Sequence, residues 1–230
     1  MVVSYPVKDE RDINGSHMEH SQFADTISAA FLLFLGGTRF YYLVTARTRP
    51  GDTSNPAVDP VLQVPAYIAS AAWAAYVAWS VLAPPRLLEW DWWPVGQGVS
   101  DFLAWIAIVF FGAGLGLFWY SHRTIGSYWS IRIEIKEEHR LVTCGSYRYV
   151  RHPLYTALFL GYLGTLLALQ SWILTVWFPV FIACYLLFAK GEERVMENGF
   201  GEAYRAYRRQ TGMFLPRLTR THLPARREAR

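Results

Sequence analysis

Long uninterrupted apolar blocks, with the charged residues confined between them, constrain this chain more than any other feature. A segment of about 20 mostly apolar residues is long enough to cross about 30 Å of hydrocarbon. The expected fold is therefore an all-α integral membrane bundle with about five transmembrane helices. The spans are placed at about Ala24 to Ala46, Val61 to Ala83, Val99 to Tyr120, Leu154 to Leu169 and Trp172 to Ala189. Pro84-Pro85 stops the second, Trp90, Trp92 and Trp93 before the third suit an interfacial belt, and only Gln170-Ser171 separates the last two, which read as an antiparallel hairpin.

The remainder divides into four regions. Residues 1–17 read as an expression tag and linker, because Gly15-Ser16-His17-Met18 has the look of a protease-and-cloning scar, and Met18 is the expected native start. Residues 18–128 form a three-span membrane region, 129–217 a core of polar segments flanking the two-helix hairpin, and 218–230 a basic tail.

The net charge is +4 and the sequence pI about 9.1. The basic residues flank apolar spans, so anionic lipid headgroups account for them and nucleic acid is not needed. Arg47, Arg49, Arg123, Arg132, Lys136, Arg140, Arg148, Arg151 and the cluster from Lys190 onward share one side in a five-span layout, which places the C-terminus in the cytoplasm of a cell-inner, plasma or endoplasmic-reticulum type of membrane. Arg39, near the cytoplasmic end of the first span, is expected to snorkel. Cys144 and Cys184 fall in a loop and mid-span, so no disulfide is expected, and the scattered histidines offer no metal-ligand spacing.

Gly112, Gly114 and Gly116 spell GxGxG, but inside an apolar span, where small residues serve close helix packing rather than dinucleotide binding. More informative is the run from His139 to Tyr155. Pro153 suits the first position of the fourth helix, which sets Arg151 and His152 at an electropositive helix mouth able to hold an anion, with Gly145 permitting close backbone approach. A basic, membrane-anchoring loop accounts for the arginines equally well, and both readings stand. Beyond the last span, Glu192-Glu193 reads either as a solvated pair or as a site for a cationic ligand. Glu193, Glu197, Phe200, Tyr204 and Tyr207 recur at helical spacing, as in one amphipathic helix on the membrane surface whose aromatic stripe packs inward.

Taken in order, His139-Arg140-Leu141-Val142-Thr143, Gly145-x-Tyr147, Arg151-His152-Pro153-x-Tyr155, Glu192-Glu193, Phe200-Gly201, Tyr204-x-x-Tyr207 and Leu215-Pro216 resemble the isoprenylcysteine carboxyl methyltransferase family and the related phospholipid methyltransferases. The resemblance runs from Trp129 to Arg217. It implies a methyl group moved from S-adenosylmethionine to a lipophilic acceptor, most simply the carboxylate of an isoprenoid or prenylcysteine. Phospholipid N-methylation and thiol S-methylation are the alternatives within the class, and a transporter or structural membrane protein is the alternative outside it. The resemblance assigns cofactor contacts to His139, Arg140, Leu141, Val142, Gly145, Tyr147, His152, Pro153, Leu154, Tyr155 and Glu192, and catalytic work to Arg151, His152 and Glu193. Family members that act on prenylcysteine place an arginine one turn before the Glu pair. Phe188 stands there in this chain, with Lys190 close by, so these two are the expected substrate contacts. The expected partners are the lipophilic substrate and membrane lipids, with no metal and no nucleic acid. Oligomeric state is not legible.

Overall fold

The computed structural model describes residues 26–33, 36–37, 60–82, 89–126 and 141–217. Five helices organise them: α1 (Pro60–Leu82), α2 (Gln97–Ile125), α3 (Pro153–Leu169), α4 (Trp172–Phe200) and α5 (Glu202–Gln210). Residues 26–33 are also helical, and the rest of the first expected span, with Arg39, lies outside the described residues. Among the described residues, α1, α2 and α4 are long and apolar enough to cross a membrane, and α3 is a shorter apolar helix. The chain is a helical, multi-pass integral membrane protein.

The antiparallel hairpin is present. α3 ends on Gln170 in the left-handed region (φ 50°), and Ser171 caps α4 by accepting the Leu174 N–H at 3.1 Å. Side-chain pairs fix the other directions. Along α1, Tyr67 meets Phe188, Ser70 bonds the Tyr185 hydroxyl at 2.7 Å, Trp73 packs on Tyr162 and Phe181, and Tyr76 donates to Asp91. Thus α1 runs antiparallel to α4. At the start of α2, Ser100 Oγ accepts from Gln170 Nε2 at 2.8 Å, and at its end Ser121 bonds Ser146 at 3.0 Å.

The α2–α3 contact explains the glycine run. A Cβ on Gly114 would come within 3.1 Å of the Ala157 carbonyl and 3.3 Å of the Gly161 nitrogen, so this glycine lets the two backbones approach. Gly112 and Gly116 face open space, so one glycine of the three does the packing. Phe31 from the N-terminal helical segment closes over Gly161 and stacks near Trp73 and Phe111.

At the end away from the site, Asp91 is fully buried yet fully bonded. Its Oδ1 accepts the Ile173 N–H at 2.7 Å, and its Oδ2 accepts from Ser171 Oγ at 2.6 Å and from Tyr76. A carboxylate on the first turn of α4 is where the helix dipole favours one.

One expectation is corrected. The last span was expected to end near Ala189 and a separate amphipathic helix to carry Glu193 through Tyr207. Instead α4 continues unbroken to Phe200, and the break falls at Gly201, whose φ of 54° only glycine adopts freely. The physical reason is that hydropathy marks where the lipid ends, not where the helix ends. Glu192, Glu193, Arg194, Met196 and Glu197 all sustain a helix. At 29 residues α4 is about 43 Å long, and so overshoots the hydrocarbon by about two turns.

Candidate functional site

The overshoot of α4 carries Glu192 and Glu193 up beside the first residue of α3. Pro153 occupies the first helical position as expected, and His152 is the N-cap. The Val150–His152 segment is held from behind by the chain beyond α5. Val150 bridges Gly212 in parallel, the Arg151 N–H donates to the Gly212 carbonyl at 2.9 Å, and the His152 N–H donates to the Met213 carbonyl at 3.1 Å.

Four charged side chains meet there. Arg151 Nε donates to Glu193 Oε1 at 2.7 Å, and its Nη1 donates to the Thr211 carbonyl and, at 3.2 Å, to that of Arg208. His152 lies between the two carboxylates, with Nδ1 3.1 Å from Glu192 Oε2 and Nε2 3.3 Å from Glu193 Oε1. The Tyr155 hydroxyl donates to Glu192 Oε1 at 2.5 Å, and Arg208 Nε reaches Glu193 Oε2 at 3.5 Å. The Arg151, His152 and Glu193 side chains are 7%, 9% and 5% exposed, whereas Glu192 keeps 17%. Glu193 is therefore enclosed by cations, and Glu192 is the carboxylate that still opens outward.

These contacts set the charge state. Burial pushes the His152 imidazole down, but hydrogen bonds and the charges of Glu192 and Glu193 more than reverse it, so its pKa rises above 6.5. A carboxylate on each ring nitrogen asks for an N–H on each, which is the imidazolium. Burial raises the Tyr147 hydroxyl further from ionisation, with the Glu192 charge adding to it; Tyr204 and Tyr207 are held up by burial as well. All three remain neutral phenols.

An aromatic wall runs from this cluster toward the bundle. Tyr155 lies parallel to His152 at 5.5 Å, tilts against Phe188 at 5.6 Å and meets Tyr185 edge-on at 5.0 Å, and Tyr67 of α1 meets Phe188 edge-on at 5.9 Å. Phe188 is buried, while Lys190 is exposed and stands outside the charged cluster.

The expected site residues thus separate into groups. Arg151, His152, Tyr155, Glu192 and Glu193 converge, with Tyr147 buried close enough for Glu192 to act on its hydroxyl. Leu141, Val142 and Leu154 are half-buried, and Pro153 is buried. His139 and Arg140 lie outside the described residues. Gly145 does permit a close approach, but to a helix. At φ 57° its Cβ would fall 2.7 Å from Thr124 Oγ1 at the end of α2. The sequence assigns no site role to Arg208, Thr211 or Phe214. Nothing in their spacing ties them to Glu193 or His152, because the turn of chain beyond α5 that returns them is not periodic.

Residues 105–198, from α2 through the carboxylate pair, match the isoprenylcysteine carboxyl methyltransferase (ICMT) family. The chain is 34% identical over 83 residues to the protein-S-isoprenylcysteine O-methyltransferase of Schizosaccharomyces pombe, a match covering 35% of this chain and 34% of that protein. It is also 34% identical over 107 residues to the cobalt-zinc-cadmium resistance protein CzcN of Cupriavidus metallidurans, covering 46% of this chain and 49% of that one. The chain therefore spans about half, or less, of the length of these curated relatives. A solved structure of the eukaryotic intramembrane Ras methyltransferase ICMT superposes with a TM-score of 0.42 at 21% identity, covering 68% of this chain and 51% of that one.

Proposed function

We propose that this protein is an integral membrane methyltransferase that forms a methyl ester on a lipophilic carboxylate of the isoprenoid or prenylcysteine type, using S-adenosylmethionine. The observation that carries the reading is the buried Arg151–His152–Glu192–Glu193 cluster, inside the segment that matches the family, at the end of a membrane hairpin. The described residues fit the cofactor chemically. Glu192 presents a partly open carboxylate to a cationic or ribose group, and the Tyr155 hydroxyl that bonds it ties it to the aromatic wall. Bound S-adenosylmethionine supplies a methyl group on a positively charged sulfur.

The protein's own contribution is positioning and exclusion of water. Arg151 and Arg208 hold Glu193, Glu193 and Glu192 hold His152, and Tyr155 holds Glu192, so these side chains are oriented before anything binds. A carboxylate nucleophile needs no general base. Its charge and that of the sulfonium cancel as the bond forms, and a poorly solvated site favours that. An amine or thiol acceptor would have to surrender a proton to Glu193 or His152, and both are already engaged, Glu193 by Arg151 and His152 by the two carboxylates. This favours carboxylate over N- or S-methylation. Phe188 is buried against Tyr155 and Tyr67 and so backs the aromatic wall, and exposed Lys190 is the nearby charge available to a carboxylate.

The test uses full-length protein in detergent. Calorimetry should show S-adenosylmethionine binding by the wild type and its loss in His152→Ala and Glu192→Ala with melting behaviour retained. Full binding by either variant would remove the site assignment. Labelled cofactor incubated with membrane extract and then treated with base should release volatile methanol. Base-stable label on lipid headgroups would instead support N-methylation.

A further inference from the structure

The family match stops at residue 198, yet the carbonyls that hold the α3 entrance belong to residues beyond it. Residues 211–214 lie across the N-terminus of α3 as a strap. Besides the Gly212 and Met213 carbonyls that accept the Arg151 and His152 N–H groups, the Thr211 carbonyl accepts from the Arg151 guanidinium, and the Phe214 carbonyl accepts from Thr156 Oγ1 at 2.8 Å. The Phe214 ring packs 5.9 Å from the His152 imidazole and edge-on to Phe159 at 5.0 Å. The strap has one fixed shape: Thr211 and Gly212 are buried, and a Cβ on Gly212 would collide with the backbone of Leu215.

We infer that this strap is a working part of the site and that Phe214 is a positioning residue, which keeps the His152 ring turned to both carboxylates. The inference rests on the proposed role of His152 for its functional arm and on geometry alone for its structural arm. Four consecutive strap carbonyls, those of Thr211 to Phe214, are bonded by Arg151, His152 or Thr156, so the backbone from which the His152 ring swings cannot shift while the strap is seated. What remains free is rotation of the imidazole about its side-chain bonds. Two ring faces restrict it: Tyr155, parallel on one contact, and Phe214, tilted on another. The groups facing the imidazole are Glu192 and Glu193 from α4, Tyr155 from α3 and Phe214 from the strap, with Arg151 beside it and Arg208 of α5 reaching Glu193 from behind.

Positioning and simple shielding predict opposite results. If Phe214 only keeps water out, Phe214→Ala relieves burial and moves the His152 titration midpoint upward. If it aims the ring, Phe214→Ala frees the imidazole from its carboxylates and moves the midpoint down, toward 6.5. The full-length protein in detergent, carrying labelled histidine and assigned by comparison with His152→Gln, reports this by NMR without any ligand. The expected result is a lowered midpoint in Phe214→Ala, restoration in Phe214→Tyr, and roughly tenfold weaker S-adenosylmethionine binding in the alanine variant. An unchanged or raised midpoint overturns the inference. If Phe214→Ala does not fold, Thr156→Val, which removes the bond to the strap and keeps the side-chain shape, is judged by the same midpoint. A wild type that binds no S-adenosylmethionine would overturn the proposed function, and the midpoint would still decide the role of the strap.

Discussion

His152 has a carboxylate at each ring nitrogen. In the sequence, its place before Pro153 suggests a group free to meet an anion at a helix mouth. In the fold it is a cation already engaged by Glu192 and Glu193. Because its folded pKa lies above 6.5, the stabilisation from the imidazolium is complete below the unfolded pKa and is lost as pH rises through the folded value. The melting temperature in detergent should therefore fall on going from slightly acid to alkaline pH more steeply for the wild type than for His152→Gln. Parallel curves would show that the imidazolium contributes nothing to stability. Gly145 allows a second residue-scale prediction. Gly145→Ala meets both an unfavourable φ of 57° and Thr124 at 2.7 Å, so it should cost about 1–2 kcal/mol for the backbone alone. Adding Thr124→Ala should recover the steric part and leave the backbone part. A thermal-shift series on the two single variants and the double variant checks it, and an unperturbed Gly145→Ala would show that the turn tolerates a side chain after all.

At the scale of elements, the membrane helices were largely legible because their signal is collective. Twenty apolar residues in a row have few alternatives, and α1, α2 and α3 begin and end within a few residues of expectation. The end of α4 was not legible, since charged helix formers after Ala189 look the same whether they continue a helix or begin a new one. The candidate site was legible as far as local features reach. Pro153 fixes the helix start, and the Gln170-Ser171 turn returns α4 to the same membrane face. The pairing of Arg151 with Glu193, the burial of Glu193 and the strap at 211–214 depend on where chain segments cross, and no periodicity encodes that. The same holds for Asp91. It looks like an ordinary interfacial acid, yet it joins α1 to the start of α4 through Tyr76, Ser171 and the Ile173 N–H. Asp91→Ala removes the acceptor of the Ile173 N–H and of Ser171 Oγ, while Tyr76 keeps its bond to Ser171 Oγ at 2.9 Å, and should lower stability by about 1–3 kcal/mol. α3 separates it from the site by about 25 Å, so the folded fraction should bind S-adenosylmethionine as the wild type does. Weakened binding by the folded fraction would mean that the two ends are coupled.

For the whole molecule, the family-matched segment does not stand apart from its surroundings. α1 faces α4 through Tyr67, Ser70 and Trp73, α2 meets α3 at Gly114, and the strap closes the α3 entrance, so one packed bundle supports the site. The bundle is also electrically polar. The site end carries Arg123, Arg148, Arg151, Lys190, Arg194, Arg205, Arg208, Arg209 and Arg217 among the described residues, whereas the opposite end carries Glu89, Asp91 and Asp101 with no Lys or Arg described beside them. Lys and Arg near span ends are retained on the cytoplasmic side, and acidic residues contribute little to the choice. The α4 overshoot and the amphipathic α5 should therefore lie against the cytoplasmic leaflet, where anionic headgroups complement Arg205 and Arg209, 54% and 60% exposed. A fluorescent reporter fused after Arg230 should fold and shine, and alkaline phosphatase at the same place should stay inactive, since the first requires the cytoplasm and the second an exported compartment. Active phosphatase there would invert the bundle and put the charged cluster on the wrong side of the membrane for a cytosolic cofactor, which would count against the proposed chemistry as well as the orientation.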